Sequence, residues 1–97
     1  MAELVAHGPG TYRLEGTVTF IDQPPQGIWA APLVAAQGQV TVDLSGLDWG
    51  DSVSLALLLE WERRARLAGH QFQVTHVPAR LQDLMRVYGL AQVFGIT

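Results

Sequence analysis

The sequence contains no cysteine. This absence excludes disulfide bonds, metal sites built from thiolates, and a cysteine nucleophile. Basic residues are also scarce: all six are arginines, and only Arg63, Arg64 and Arg66 lie close together. Because three arginines are fewer than the basic footprint of a duplex-binding protein, we expect no nucleic-acid partner.

Long hydrophobic runs are missing as well. The longest uninterrupted apolar stretch, residues 55–59, is far too short to cross a bilayer. The first four residues, Met1 to Leu4, lack the basic region and apolar run that open a signal peptide. From these two absences we expect a cytoplasmic protein with no direct membrane insertion.

What the chain does contain is enough apolar material for one core. Of its 97 residues, 48% are hydrophobic and 15% are charged, with a formal net charge of −3. That balance is too apolar for a disordered chain, and the length suits a single small domain.

Period-two alternation predicts three strand regions. Residues 11–20 form the first, in which Gly16 marks a turn or a bulge between two short strands. Residues 39–45 and 71–76 form the other two, and we expect five of their side chains to be buried: Val40, Val42, Leu44, Phe72 and Val74.

Helices are predicted between the strands. Residues 28–37 form a short one, with Pro32 near the start of its regular part, and residues 51–68 form the longest, stopped by Gly69. Pro78 opens the last helix and Gly89 ends it, with a further turn in the tail through Phe94. Strands that alternate with helices indicate an α/β domain with a mixed sheet and helices packed against it.

The residues that could carry catalysis or bind metal are few. His7, His70 and His76 match no metal-ligand spacing, and no phosphate-binding loop, dinucleotide fingerprint or nucleophile elbow is present. We therefore expect no catalytic residues, no metal site and no cofactor, and hence no enzyme.

One corner of the chain has two interpretations. Asp48, Asp51 and Ser52 follow a strand and begin the longest helix. Asp51 or Ser52 could cap that helix by accepting a hydrogen bond from a free N–H of its first turn. Alternatively, the corner presents an exposed hydroxyl to a partner or a kinase, and a phosphate there would add up to two negative charges.

The helix that follows is unusual, because its first two turns are apolar on nearly every side over residues 53–59. Trp49 adds another large apolar group just before it. A surface helix normally shows one polar face, so this segment is either deeply packed or part of a partner-binding patch.

These residues resemble the central motif of STAS domains. Val42-Asp43-Leu44-Ser45-Gly46-Leu47 is followed, after four residues, by Ser52-Val53-Ser54-Leu55-Ala56-Leu57-Leu58-Leu59. The resemblance spans about residues 11–90 and implies that the whole chain, residues 1–97, is one STAS domain. Three features are similar to the MlaB-type branch of the family: the Leu-rich run at 54–59, Pro32, and Leu84-Met85-Arg86-Val87-Tyr88-Gly89-Leu90.

The MlaB-type resemblance implies a non-catalytic accessory subunit. Such a subunit binds the cytoplasmic ATPase of an Mla-type ABC transporter, which serves phospholipid transport and outer-membrane lipid asymmetry. The subunit is then cytoplasmic and is held at the inner membrane by the transporter complex. The partner-binding residues it implies are Trp49, Asp51, Ser52, Val53, Ser54 and Leu55.

The wider family implies an alternative: an anti-sigma-factor antagonist phosphorylated at Ser52 by a serine kinase. The family usually has glycine where this chain has Ser54. We expect the Ser54 side chain to hinder kinase recognition of Ser52, because close backbone approach is usual there.

Overall fold

The computed structural model describes residues 1–96. Thr97, the last residue of the predicted domain, lies outside the described residues. The elements run in chain order as β1 (Ala2–Ala6), β2 (Thr11–Val18), α1 (Gln26–Trp29), β3 (Gln39–Gly50), α2 (Ser52–Leu67), β4 (Gln71–Thr75) and α3 (Ala79–Val87).

The strands form one mixed sheet in the order β1-β2-β3-β4. β1 runs antiparallel to β2, whereas β2, β3 and β4 are mutually parallel. Parallel neighbours need a crossover, and the segments that contain α1 and α2 provide the two crossovers. The predicted α/β domain with a mixed sheet is confirmed.

The core lies between one face of the sheet and the helices. Of the five strand residues predicted to be buried, Val40, Val42, Leu44 and Val74 are buried and Phe72 is half-buried. They share one cluster with side chains from α2 and α3: Leu55, Leu57, Leu58, Trp61, Leu81 and Met85. In β4 and the first part of β3, the positions between these residues are polar and less buried: Gln39, Thr41, Asp43, Ser45, Gln71, Gln73 and Thr75.

The N-terminal hairpin differs from the prediction. The alternation predicts no strand before residue 11, yet β1 pairs with β2 through a turn in which the Thr11 N–H donates to the Gly8 carbonyl at 3.2 Å. Gly16 does not form a turn between two strands. It lies at a register shift inside β2 with φ +94°, where a Cβ would fall 2.0 Å from the Met1 carbonyl oxygen.

The first helix was predicted in the wrong place. α1 occupies only Gln26–Trp29, and residues 30–38 have no helix. Pro32 disfavours the helical conformation of the residue before it, so the helix ends ahead of it. The irregular segment is tied to the sheet instead, since the Val34 N–H donates to the Tyr12 hydroxyl at 2.8 Å.

The two longer helices follow the sequence closely. α2 begins one residue after the predicted start and is followed by Gly69 with φ +81°. α3 begins directly after Pro78, and the predicted turn in the tail is present, with Phe94 buried. Over residues 1–96, no helix combines the length and apolarity needed to cross a membrane.

Candidate partner-binding surface

Asp51 and Ser52 lie where β3 leads into α2. One carboxylate oxygen of Asp51 accepts from the Val53 N–H at 2.9 Å, so Asp51 is the residue that caps the helix. Its other oxygen accepts from the Phe20 N–H at 3.1 Å, which ties the end of β2 to the same corner. Ser52 is the first helical residue, as predicted, and it is exposed.

Ser54 points the other way. Its side chain is only 1% exposed, and its hydroxyl donates to the Val18 carbonyl at 2.7 Å. A Cβ on Gly50 would lie 2.4 Å from that hydroxyl oxygen, so the missing side chain of Gly50 leaves the space that Ser54 fills. Ser54 therefore does not stand over Ser52, contrary to the expectation that it hinders approach there.

The apolar first half of α2 is mostly packed. Leu55, Leu57 and Leu58 are buried, and Val53 is half-buried. Ser54, which was predicted at the partner surface, is thus out of reach of a docked protein in this conformation. Leu55, also predicted there, is only 2% exposed but contributes to the lining of a shallow apolar groove.

A narrow strip of α2 remains accessible. Ser52 and Ala56 are exposed and Leu59 is half-buried, and together they form one wall of a shallow groove. Tyr88 and Leu90, just after α3, lie across from them. The groove has a volume of about 320 Å³, and nearly all of its surface is apolar.

A second groove continues from the first along α2. It has a volume of about 540 Å³ and shares Ala56 and Leu59 with the first. Its far end holds Glu60, whose carboxylate accepts hydrogen bonds from Arg63 at 3.0 Å and from Arg64 at 2.6 Å. These bonds lower the pKa of Glu60 to about 2, so the cluster carries a net positive charge.

Trp49 flanks the corner on the other side. Its indole is 52% exposed, and the guanidinium carbon of Arg80 lies 4.4 Å from the ring centroid. Arg80 also donates to the Gly50 carbonyl at 3.3 Å. A guanidinium and the face of an aromatic ring attract each other electrostatically. Arg80, on α3, therefore holds the exposed indole of Trp49 beside the start of α2.

Sequence reasoning missed several residues at this surface. The alternation predicts that Phe20 belongs to the strand of residues 11–20, but β2 ends at Val18. The side chains of Phe20 and Ile21 are 75% and 96% exposed. The signal was available: two large apolar residues stand directly before the polar, Pro-rich segment 22–27. The contact between Arg80 and Trp49 left no such signal.

None of the three histidines lines the two grooves along α2. His76 Nδ1 is 3.1 Å from a carboxylate oxygen of Asp43, whereas His7 and His70 lie outside the strands and helices. Burial raises the pKa of Asp43, but the Ser45 N–H and the neighbouring His76 outweigh it and hold that pKa below its usual range. Among residues 1–96, no three His, Asp or Glu side chains are grouped to hold a metal ion.

Comparison with known proteins agrees with this architecture. The family model described as "Mlab, STAS domain" matches residues 4–96. A solved structure of the anti-sigma factor antagonist SpoIIAA in its unphosphorylated form superposes with a TM-score of 0.62 at 13% identity, over 89% of this chain and 82% of that one. No curated protein matches the sequence.

The low identity to SpoIIAA shows a shared fold only, whereas the family model covers nearly the whole described chain. STAS domains are in general regulatory or accessory domains that mediate protein–protein interactions. The chain belongs to the MlaB-type STAS domain family.

Proposed function

We propose that this domain is a non-catalytic accessory subunit that binds the cytoplasmic ATPase of an Mla-type ABC transporter. One observation carries the proposal: the exposed Ser52 stands at the head of an apolar groove beside the start of α2. The MlaB-type family supports it, because the implied docking corner of that family is the same start of α2.

The composition of this corner suits a protein partner. Trp49, Arg80 and Tyr88 flank it, and Trp, Tyr and Arg are the residue types that most often dominate binding energy at interfaces. The groove itself offers apolar surface, which gains about 25 cal/mol for each Å² removed from water. Ser52 adds a small polar contact that fixes the register of the docked surface.

In this mechanism the domain acts through binding alone. Docking alters ATP hydrolysis only if the domain has different affinities for two states of the ATPase. Preference for the assembled, active state would then promote phospholipid transport and outer-membrane lipid asymmetry. The domain would lie in the cytoplasm, held at the inner membrane by the complex.

The central test is a matched pair of serine substitutions, Ser52→Arg at the groove and Ser45→Arg at another exposed serine, on β3. Binding is measured by isothermal titration calorimetry with the purified Mla-type ATPase of the same organism. We expect Ser52→Arg to abolish binding and Ser45→Arg to preserve it. The thermal midpoints should stay close to wild type, because both side chains are exposed. Equal affinities for the two variants would contradict the proposal.

A finer pair tests the role of the hydroxyl. Because Asp51 already caps α2, Ser52→Ala should leave the thermal midpoint unchanged. It should weaken ATPase binding by about 0.5–1.5 kcal/mol, the net contribution of one neutral hydrogen bond, whereas Ser52→Thr should bind like wild type. A large loss of stability in Ser52→Ala would mean that the hydroxyl serves the fold.

The exposure of Ser52 also favours a second candidate, an anti-sigma-factor antagonist switched by phosphorylation, because a kinase could reach this hydroxyl. A phosphate would place up to two negative charges beside Asp51 and repel an acidic or apolar partner. Intact mass of the protein isolated from its native host separates the two candidates. A stoichiometric phosphate on Ser52, with no ATPase in pull-downs, would overturn the transporter proposal.

A further inference from the structure

A tight turn at the end of β2 displays two large apolar side chains. The Thr19 N–H donates to the Asp22 carbonyl at 3.2 Å, and the Asp22 N–H donates to the Thr19 hydroxyl at 2.9 Å. Phe20 and Ile21 are the two central residues of this turn, and their side chains are 75% and 96% exposed. They therefore contribute little to the core of this domain.

The turn is held rigidly despite its exposed tip. One carboxylate oxygen of Asp22 accepts from the Thr17 hydroxyl and from the N-terminal ammonium group, both at 2.5 Å. The ammonium and hydroxyl bonds lower the pKa of Asp22. Asp51 accepts from the Phe20 N–H, so the turn is fixed at its base and at its tip. A preorganised apolar pair loses little conformational entropy on binding.

The position of the turn makes it continuous with the proposed ATPase interface. The same Asp51 side chain holds the Phe20 N–H with one oxygen and caps α2 with the other. Phe20 is therefore attached to the residue directly before Ser52. A protein that covers Ser52 has the exposed turn beside it.

The charges around the turn indicate the kind of surface it meets. Asp51 lies at the turn and Asp48 is exposed on the neighbouring end of β3, whereas the carboxylate of Asp22 is paired with the N-terminal ammonium group. Anionic lipid headgroups attract basic segments and repel acidic ones, so a membrane surface is a poor match. An apolar pocket rimmed by arginine or lysine complements both the side chains and the carboxylates.

We propose that Phe20 and Ile21 form a second anchor of the interface and insert into an apolar, basic-rimmed pocket of the same ATPase. This inference rests on the proposed function and names Asp51 as the positioning residue that sets the turn relative to Ser52.

The test uses the purified full-length domain and the purified ATPase, with affinity measured by titration calorimetry. The double variant Phe20→Ser/Ile21→Ser is compared with Val34→Ser and Leu67→Ser, which alter apolar residues that are 66% and 68% exposed outside the turn. We expect the double variant to bind at least 100-fold more weakly, which is about 2.8 kcal/mol at 1.4 kcal/mol per tenfold. The two controls should bind within twofold of wild type, and all thermal midpoints should stay close together.

Asp51→Asn tests the positioning role. The amide oxygen can still cap α2, whereas the amide nitrogen cannot accept from the Phe20 N–H. We expect faster hydrogen exchange at the Phe20 amide, an affinity several-fold lower, and a nearly unchanged thermal midpoint. Wild-type exchange at Phe20 in this variant would overturn the assignment of Asp51.

The remaining outcomes distinguish this inference from the proposed function. If Ser52→Arg abolishes ATPase binding but Phe20→Ser/Ile21→Ser binds like wild type, the second anchor is refuted and the proposed function stands. If the wild-type domain does not bind the ATPase, both are refuted. If the wild type floats with vesicles of three parts phosphatidylcholine to one part phosphatidylglycerol and the double variant does not, the turn meets lipid and the inference is overturned.

Discussion

Gly50 and Ser54 form a pair whose coupling can be worked out from the structure. The Ser54 hydroxyl is buried, donates to the Val18 carbonyl at 2.7 Å, and occupies the space above Gly50. In Gly50→Ala, the new Cβ would lie 2.4 Å from that hydroxyl oxygen and 3.2 Å from the Ser54 Cβ. Something must move, and overpacking of this kind costs about 1–3 kcal/mol.

Two smaller effects act on the single variants. Gly50 does not have a positive φ, so alanine fits its backbone and regains about 0.4–1 kcal/mol through the unfolded state. The net cost of Gly50→Ala is therefore between about 0 and about 2.6 kcal/mol. Ser54→Ala loses one buried hydrogen bond, which costs about 0.5–1.5 kcal/mol, since the Asp51 N–H still reaches the Val18 carbonyl at 3.4 Å.

The double variant carries the test. Once the hydroxyl is gone, the 2.4 Å contact no longer exists, and two contacts at 3.2 Å remain, with the Ser54 Cβ and with the Leu47 Cδ2. We expect Gly50→Ala/Ser54→Ala to be about 0.4–1 kcal/mol more stable than Ser54→Ala alone, with a coupling free energy of about 1–3 kcal/mol. Helix propensity and unfolded-state effects at each single site cancel in the cycle.

Urea unfolding followed by circular dichroism measures all four proteins. At about 4–8 °C for each kcal/mol in a domain of this size, the coupling is also visible in the thermal midpoints. If the two single costs add to within about 0.5 kcal/mol, the two residues are independent and the explanation of Gly50 as the space for Ser54 is wrong.

Two further predictions concern α2. Trp61 is fully buried, and its indole N–H donates to the Ile28 carbonyl at 3.1 Å. Trp61→Phe should therefore lower the free energy of unfolding by about 1–3 kcal/mol, measured by urea unfolding. It should also loosen α1, which faster hydrogen exchange at residues 28–31 would show. Arg63 and Arg64 lower the pKa of Glu60 from 4.5 to about 2. The ion pairs of the ionised Glu60 therefore stabilise the folded state above about pH 4.5, and this contribution is lost as the pH falls towards 2. Glu60→Gln should remove this part of the acid dependence, and a carboxyl titration midpoint near 4.5 in the wild type would contradict the ion pairs.

Local sequence signals located most of the fold. β4, α2, α3 and the first part of β3 were predictable, because strand alternation and helical spacing are clear there and Gly69 and Gly89 mark the helix ends. β3 continues to Gly50, beyond the predicted end at residue 45, because the alternation of polar and apolar residues is lost after Ser45. β1 was missed because it is five residues long and only Ala2 is buried in it, which gives almost no periodic signal. α1 was misplaced because the Ala- and Leu-rich segment 30–36 has helical propensity, while Pro32 and the sheet contacts decide its path.

The surface was predictable only where it depends on neighbouring residues. Ser52 could be placed at the start of a helix from the residues around it. The exposed turn of Phe20 and Ile21 has a local signal, since these two large apolar residues precede the Pro-rich segment 22–27, but its attachment to Asp51, 31 residues away in the sequence, has none. Contacts over such separations leave no pattern in a single sequence.

The corner also resolves a choice that the sequence left open. Asp51 and Ser52 are both good helix-capping residues, and shifting the start of the helix by one residue would exchange their roles. The structure assigns the cap to Asp51, since its carboxylate accepts from the Val53 N–H. Capping therefore does not require the Ser52 hydroxyl, which stays exposed at the head of the groove. The capping interpretation thus applies to Asp51, and it leaves the Ser52 hydroxyl available for the proposed partner contact.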